Sequence, residues 1–256
     1  MPQFPHADVV QQLAPSGTLR AAINLGNPVL AQRDAATGEL HGISVELARE
    51  IARRLDVPVQ FVPYDAAGKV FEALQSSAWD MAFLAIDPKR ATEIAFTAPY
   101  VIIEGSYMVL TSSPLQAIAE VDRAGVRIAV GHGSAYELFL SRTLQHAQLV
   151  RFATGSEAIT AFLRDGLDAV AGVKSPLQKF VQDRADLRVM GGRFMAIEQA
   201  VGMPKGRGTP AAAARALEFL RALVEDAKSS GSIAAGLART GQHDAQVAPP
   251  AAPTAG

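Results

Sequence analysis

Two runs of alternating strand and helix, separated by long extended apolar segments, constrain this chain more than any other feature. In the first run, residues 18–25 (TLRAAINL) read as a strand stopped by the turn Gly26-Asn27-Pro28, and residues 29–41 as a hairpin around Ala36-Thr37-Gly38. A helix capped by Ser44 follows, with Leu47, Ile51 and Leu55 on one face. Next come a strand over 57–62, a helix over 68–77 with Val70, Phe71 and Leu74 inward, and a strand over 81–86. Residues 101–111 (VIIEGSYMVLT) are extended throughout. The second run then opens with a strand over 127–130 and the turn Gly131-His132-Gly133-Ser134. A helix over 135–145, a strand over 148–152, a helix over 156–165, a strand over 168–172 and a helix after Lys174-Ser175-Pro176 complete it. Residues 193–204 are extended again, and 209–240 form alanine-rich helix.

Strand–helix alternation predicts a parallel sheet covered by helices on both faces. Here one such α/β unit is nested inside another, and the extended segments between them look like strand-like hinges. The expected division is lobe one at 17–105 plus 200–240 and lobe two at 106–199. One continuous sheet across residues 20–172 would contradict it. Residues 1–16 are an N-terminal extension, and the Pro/Ala-rich residues 241–256 are expected to be a mobile tail.

Composition excludes several functions. Net charge is −1, with no basic run, so nucleic acid is not an expected partner. No apolar run approaches the roughly 18 residues of a membrane span. There is no cysteine, which removes thiol catalysis, thiolate metal sites and disulfides. The five histidines are scattered, so neither a metal nor a cofactor is expected. The start, MPQFPHADVVQQLAPSG, has no cationic end, apolar core or cleavage site of a secretory leader. The compartment expected from it is cytoplasmic, unless a leader was removed and a methionine added.

The stretch WDMAFLAIDPKRATEIAFTAPY (79–100) carries the chemistry. Asp87-Pro88 stops an apolar strand and starts a helix, placing Arg90 beyond the strand's carboxyl end, where open α/β sheets bind ligands. A guanidinium there suits a bidentate grip on a carboxylate. The plain alternative is a solvated surface arginine.

These residues resemble the family 3 solute-binding proteins, which have the two-lobed type II periplasmic-binding-protein fold and serve amino-acid ABC importers. GELHGISVELAREIARRL (38–55) is similar to the family's Gly-x-Leu-x-Gly-Phe-x-Val-Asp-Leu-Ala opening. Trp79-Asp80 with Asp87-Pro88-Lys89-Arg90 and Phe96-Thr97-Ala98-Pro99-Tyr100 resembles its Asp, Thr-x-x-Arg and Phe-Ser-x-Pro-Tyr block. Arg127 to Ser134 resembles its Val-Gly-Val-x-x-Gly-Thr turn, and Gly166 to Pro176 its Gly-x-x-Asp-Ala-x-x-x-Asp-Ser-Pro block. The resemblance spans about residues 17–240. It implies a solute held between two lobes, with Arg90 on its carboxylate and Ser134 donating to it from a helix start, where free N–H groups face an anion.

The departures bear on the solute. Lys174 stands where the family's aspartate takes the ligand's ammonium, and Ala82, Phe83 and Ala85 replace donor serines or threonines. Asp87 stands where threonine is usual. A lysine facing an ammonium is a desolvated like-charge pair. The expected ligand is therefore a small organic anion without a free α-ammonium, such as a di- or oxo-carboxylate.

Lys69, Arg90 and Lys174 can form a three-cation cleft; alternatively the lysines turn to solvent or pair with Glu72 and Asp87. Asn24 and Asn27 either cap a turn or contact ligand, and Ala85 lies beside it. Glu104 either pairs with a cleft cation or touches a ligand hydroxyl. Tyr64 and Phe83 wall the cleft or pack in the core, and His132 is a ligand donor, an acid/base group or an exposed turn residue. The leading expectation is a monomeric, non-catalytic binding protein read by an ABC permease. The alternatives are a sensory binding module and an enzyme resembling cyclohexadienyl dehydratases, with Glu104 and His132 as its proton-transfer candidates.

Overall fold

Local chemistry sets the elements one after another in the computed structural model, which describes residues 7–252. Helix α1 (Ala7–Leu13) lays Val9 and Leu13 into the first core, so part of the N-terminal extension is packed structure. Strand β1 (Leu19–Asn24) leads to the hairpin β2 (Gln32–Arg33) and β3 (Leu40–His41), as the turn residues predict. Helix α2 (Ile43–Leu55) starts two residues early. Gly42 is its cap, at φ 113°, because a Cβ there would lie 2.5 Å from the Leu30 carbonyl oxygen. Ser44, expected as the cap, is instead buried inside the helix with its Oγ 3.1 Å from Tyr100 Oη.

Strand β4 (Val59–Tyr64) precedes α3 (Ala67–Glu72), whose Val70 is buried as its spacing predicts. Every residue of β5 (Met81–Ala85) is buried, as befits a central parallel strand. Asp87 ends it and caps α4 (Pro88–Ala91) by accepting from Lys89 N at 2.8 Å. Strand β6 (Ile94–Phe96) and the ten-residue β7 (Val101–Leu110) follow. The second unit runs β8 (Arg127–Gly131), α5 (Ala135–Thr143), β9 (Gln148–Phe152), α6 (Gly155–Asp165), β10 (Ala169–Val173) and α7 (Lys174–Val181). Strands β11 (Leu187–Val189) and β12 (Met195–Pro204) return the chain, and α8 (Pro210–Ser229), α9 (Ser232–Arg239) and β13 (Gln246–Val247) complete it.

In each unit three strands are parallel: β4-β1-β5 in the first and β10-β8-β9 in the second. The hinge strands join them. Gly105 to Val101 of β7 pairs antiparallel with Met195 to Gln199 of β12. Further along, β12 pairs with β5, and β7 pairs with β10. The hydrogen-bonded ladder is therefore continuous, in the order β4-β1-β5-β12-β7-β10-β8-β9. This corrects the expectation of a sheet break between the lobes: by that criterion the sheet does not support the division into residues 17–105 plus 200–240 and residues 106–199. The reason is length: a ten-residue strand spans roughly 33 Å at about 3.3 Å per residue, enough to pair within a lobe at one end and across the hinge at the other. What separates the lobes is their cores. One gathers Leu19, Ile23, Ile51, Met81 and Leu220; the other gathers Tyr107, Val130 and Leu140, with Phe162 and Leu177 behind them.

The C-terminal segment is a second correction. Its Gln246–Val247 pairs with Ile102 and Val101 of the hinge strand β7, and the buried Ala248 donates its N–H to the Tyr100 carbonyl. Lys228 Nζ donates to the carbonyls of Pro99 and Pro249, fastening the segment to the start of that strand. An unpaired edge beside the hinge attracts an extended apolar segment, and Val247 and Ala248 supply one. Residues 253–256 of the expected tail, and 1–6 of the expected extension, lie outside the described residues. Among the described residues no helix is long and apolar enough to cross a membrane.

Candidate functional site

Arg90 is the centre of the site. Helix α4 begins directly after β5, so its last turn carries Arg90 back over the strand's carboxyl end. The side chain is 1% exposed. Nη1 donates to the Ala85 carbonyl at 3.0 Å, and Nη2 to the Gly133 carbonyl at 2.8 Å. Nε is buried with no partner. No carboxylate pairs with it among the described residues. Asp87, the nearest candidate, gives Oδ1 to Lys89 N and Oδ2 to Arg142 Nη2 at 2.7 Å. Burial pushes the Arg90 guanidinium down to about 10, against the pull of the Asp87 charge, so it remains a cation at neutral pH. A buried, unneutralised cation is unfavourable until an anion meets it.

The facing wall is the turn Gly131 to Ser134. Ser134 caps α5, its Oγ accepting from Glu137 N at 3.1 Å. The buried Glu137 carboxylate returns to this turn, accepting from Gly133 N at 3.2 Å, and it also accepts from Ser141 Oγ at 2.7 Å and Arg151 Nε at 2.8 Å. Burial alone would raise its pKa; the Ser141 hydrogen bond and the Arg151 guanidinium outweigh that and hold it below the usual carboxylate range. Gly133 (φ +66°) meets Gly68 of α3: a Cβ on Gly133 would lie 2.6 Å from Gly68 Cα. The two lobes thus touch through bare backbone, and with Arg142–Asp87 and Arg90–Gly133 they form a closed arrangement.

Between the walls is a cavity with a free volume of about 50 Å³. Of the residues singled out in the sequence, Asn24, Asn27, Ala85, Arg90, His132 and Ser134 line it. Four do not. Phe83 shares Ala85's face of β5 but lies two residues further from the strand's carboxyl end, in the lobe-one core, edge-to-face with Tyr100 at 6.2 Å. Lys69 is 45% exposed and reaches back one turn to Asp65 at 2.8 Å. Lys174 opens α7 in a neighbouring recess, with Nζ 2.9 Å from Glu104 Oε2. Glu104 also receives Arg193 at 3.0 Å; the Lys174 hydrogen bond foremost holds its carboxyl below the usual range.

The three-cation cleft is therefore not assembled. Each lysine finds a carboxylate nearby, which is less costly than desolvating two more unpaired cations. Asp65, Tyr136 and Gln199 line the cavity without having been singled out. Gln199 carried a signal, being a polar residue inside an extended apolar segment; Asp65, at a strand-to-helix turn, carried a weaker one. Among the described residues no cluster of three or more His, Cys, Asp or Glu is placed to hold a metal ion.

Comparison with known proteins gives the same frame. The model of the bacterial extracellular solute-binding proteins, family 3, matches residues 19–239. The histidine-binding periplasmic protein of Escherichia coli (strain K12) is 34% identical over 109 residues, which cover 40% of this chain and 39% of that one. Its counterpart in Salmonella typhimurium is 33% identical over 111 residues, covering 41% and 40%. The chain thus matches about two-fifths of the length of these curated relatives. Among solved structures, holo ArgBP from T. maritima superposes with TM-score 0.72 at 22% identity, covering 88% of this chain and 96% of that one. AbpA from Streptococcus pneumoniae, bound to L-arginine, gives 0.75 at 22% identity, with 89% and 96% covered. An ancestral amino-acid-binding protein, precursor of cyclohexadienyl dehydratase, gives 0.72 at 21% identity, with 90% and 98% covered. These structures establish the two-lobed type II fold. With the family model matching nearly the whole described chain, this protein belongs to family 3 of the bacterial extracellular solute-binding proteins.

Proposed function

We propose that this protein binds a small organic carboxylate lacking an α-ammonium in the inter-lobe cavity and presents it to an ABC-type permease. The observation that carries the reading is Arg90, buried, cationic and without a carboxylate partner. A ligand carboxylate completes it. The permease partner rests on the neighbours, several of which are substrate-binding proteins of amino-acid ABC transporters. The lobes divide near residues 105 and 199, where β7 and β12 leave each other for β10 and β5.

The ligand differs from those of the histidine-binding relatives and the arginine-bound neighbours. An ammonium calls for an acceptor, ideally a carboxylate. The one acid lining this cavity, Asp65, is already paired with Lys69. The family's amine-binding position is Lys174. The small free volume favours a ligand of few atoms, since each water-sized occupant needs roughly 10–15 Å³. A binding role is favoured over dehydration because Glu104 is locked between Lys174 and Arg193 outside the Arg90 cavity.

A thermal-shift screen tests this. Short carboxylates should raise the melting temperature with RT ln(1 + [L]/Kd) dependence, and their α-amino counterparts should not. Stabilisation by amino acids alone would contradict the reading.

A further inference from the structure

Gln199 is a polar side chain with no internal task. It is 5% exposed, and its amide makes no hydrogen bond to any described residue, although its backbone is fully engaged in the β12 ladder. It lines the same cavity as Arg90. In the antiparallel pairing of β12 with β5, Gln199 lies opposite Ala85, so their side chains share one face of the sheet. Ala85 also lines the cavity, and its carbonyl holds Arg90 Nη1 at 3.0 Å. Gln199 therefore lines the same cavity as Arg90, on the sheet face it shares with Ala85.

Two other amides in the cavity have a fixed polarity. Asn24 Oδ1 accepts from Gly26 N at 3.0 Å, and Asn27 Oδ1 accepts from Val29 N at 3.3 Å. A backbone N–H can only be met by the amide oxygen, so each asparagine presents its NH2 group elsewhere. Ser134 Oγ likewise accepts from Glu137 N, leaving its O–H to donate. Arg90 and the two asparagine NH2 groups thus give the lining several donors, while its one carboxylate among the described residues, Asp65, is paired with Lys69.

We infer that Gln199 is a specificity-determining residue that donates to a second, acceptor-bearing group adjacent to the ligand's carboxylate, and that the ligand class is the short 2-oxo carboxylates. This rests on the carboxylate reading above and adds to it which substituent is read and by what. An oxo oxygen accepts and carries no charge, so it satisfies an amide donor without calling for a second cation, which Lys174, tied to Glu104, does not provide. A ligand oxygen that accepts from the Gln199 amide in the closed cavity is favoured over a ligand that leaves that amide unmet, which makes polar groups better discriminators than apolar ones.

The test uses four probes on one carbon skeleton: 2-oxobutanoate, 2-hydroxybutanoate, 2-aminobutanoate and butanoate. Titration calorimetry on the full chain should show 2-oxobutanoate bound at least tenfold more tightly than butanoate. In Gln199→Leu that preference should shrink to within about threefold, with butanoate itself little changed. Gln199→Glu, whose carboxylate would neutralise Arg90, should lose at least a hundredfold in 2-oxobutanoate affinity without a drop in melting temperature. Equal affinities for 2-oxobutanoate and butanoate in the parent chain, or a preference that survives in folded Gln199→Leu, would overturn the inference while leaving the carboxylate reading intact. Binding of 2-aminobutanoate with both unsubstituted and oxo acids inert would overturn the reading beneath it. Should Gln199→Leu fail to fold, undiminished 2-oxobutanoate binding by Gln199→Glu is the overturning result.

Discussion

Arg90 Nη2 donates across the cleft to the Gly133 carbonyl at 2.8 Å, so the cation proposed to hold the ligand also ties the two lobes together. Recognition and closure thereby meet in one side chain. A ligand carboxylate that completes the guanidinium is best satisfied when Gly133 is in place, which gives it a differential affinity for the closed state.

Replacing Arg90 with Ala should weaken the bound carboxylate by about 2–5 kcal/mol, as when a buried charge pair loses one member. Titration calorimetry measures it. Unchanged affinity would show that the anion is held elsewhere. Arg90→Lys should recover only part of the loss, because an ammonium cannot reproduce the planar fork.

Gly68 and Gly133 should both resist substitution for reasons unrelated to folding of either lobe. A Cβ on Gly68 would lie 2.7 Å from the His132 carbonyl oxygen. Gly68→Ala should therefore melt close to the parent protein while binding at least roughly tenfold more weakly, each tenfold corresponding to about 1.4 kcal/mol. Small-angle scattering with a saturating ligand should find the radius of gyration held at the open value. A normally closing Gly68→Ala would mean that the lobes close along a different seam.

Glu137 links acid stability to the site. Its carboxyl is held below the ordinary range in the folded protein, so the folded state favours the deprotonated form more than the unfolded chain does. That stability is present above the unfolded value of about 4.5 and is lost as pH falls through the lower folded value. Glu137→Gln should be less stable than the parent at neutral pH, and the difference should narrow as pH falls below about 4. Because Glu137 accepts from Gly133 N, the variant should also bind the ligand more weakly at neutral pH. Melting curves from pH 3 to 8 decide it; a difference that widens in acid would contradict the assignment.

Removing residues 243–256 should destabilise lobe one. The deletion takes away β13, the Ala248–Tyr100 hydrogen bond and the Pro249 acceptor of the buried Lys228 ammonium. At about 1 kcal/mol per lost hydrogen bond, the loss should be on the order of 2–4 kcal/mol by denaturant titration. No change would mean that the segment is not docked on the hinge in solution.

Much of the frame was legible in the sequence because it rests on local signals. Alternating periodicity, Asp-Pro stops and the Gly-His-Gly-Ser turn placed the elements, the nested order and Arg90. What escaped was set by contacts distant in sequence. Ser44 looks like a helix cap, yet Gly42 fills that place because the Leu30 carbonyl leaves no room for a side chain. Lys174 looks like a free cation, yet Glu104, seventy residues away along the chain, meets it on the hinge. Residues 246–248 look like a tail, yet an exposed strand edge beside the hinge takes them. Gln199 was passed over because nothing local says which face of an extended segment will meet Ala85.

The central claim is that the ligand completing Arg90 is a carboxylate without an α-ammonium. Calorimetric titration of the ligand-free protein with a panel of short α-amino acids and their deaminated analogues tests it directly. The deaminated analogues should give binding heat and the parent amino acids none. Tight binding of an ordinary α-amino acid, with its deaminated analogue inert, would contradict it.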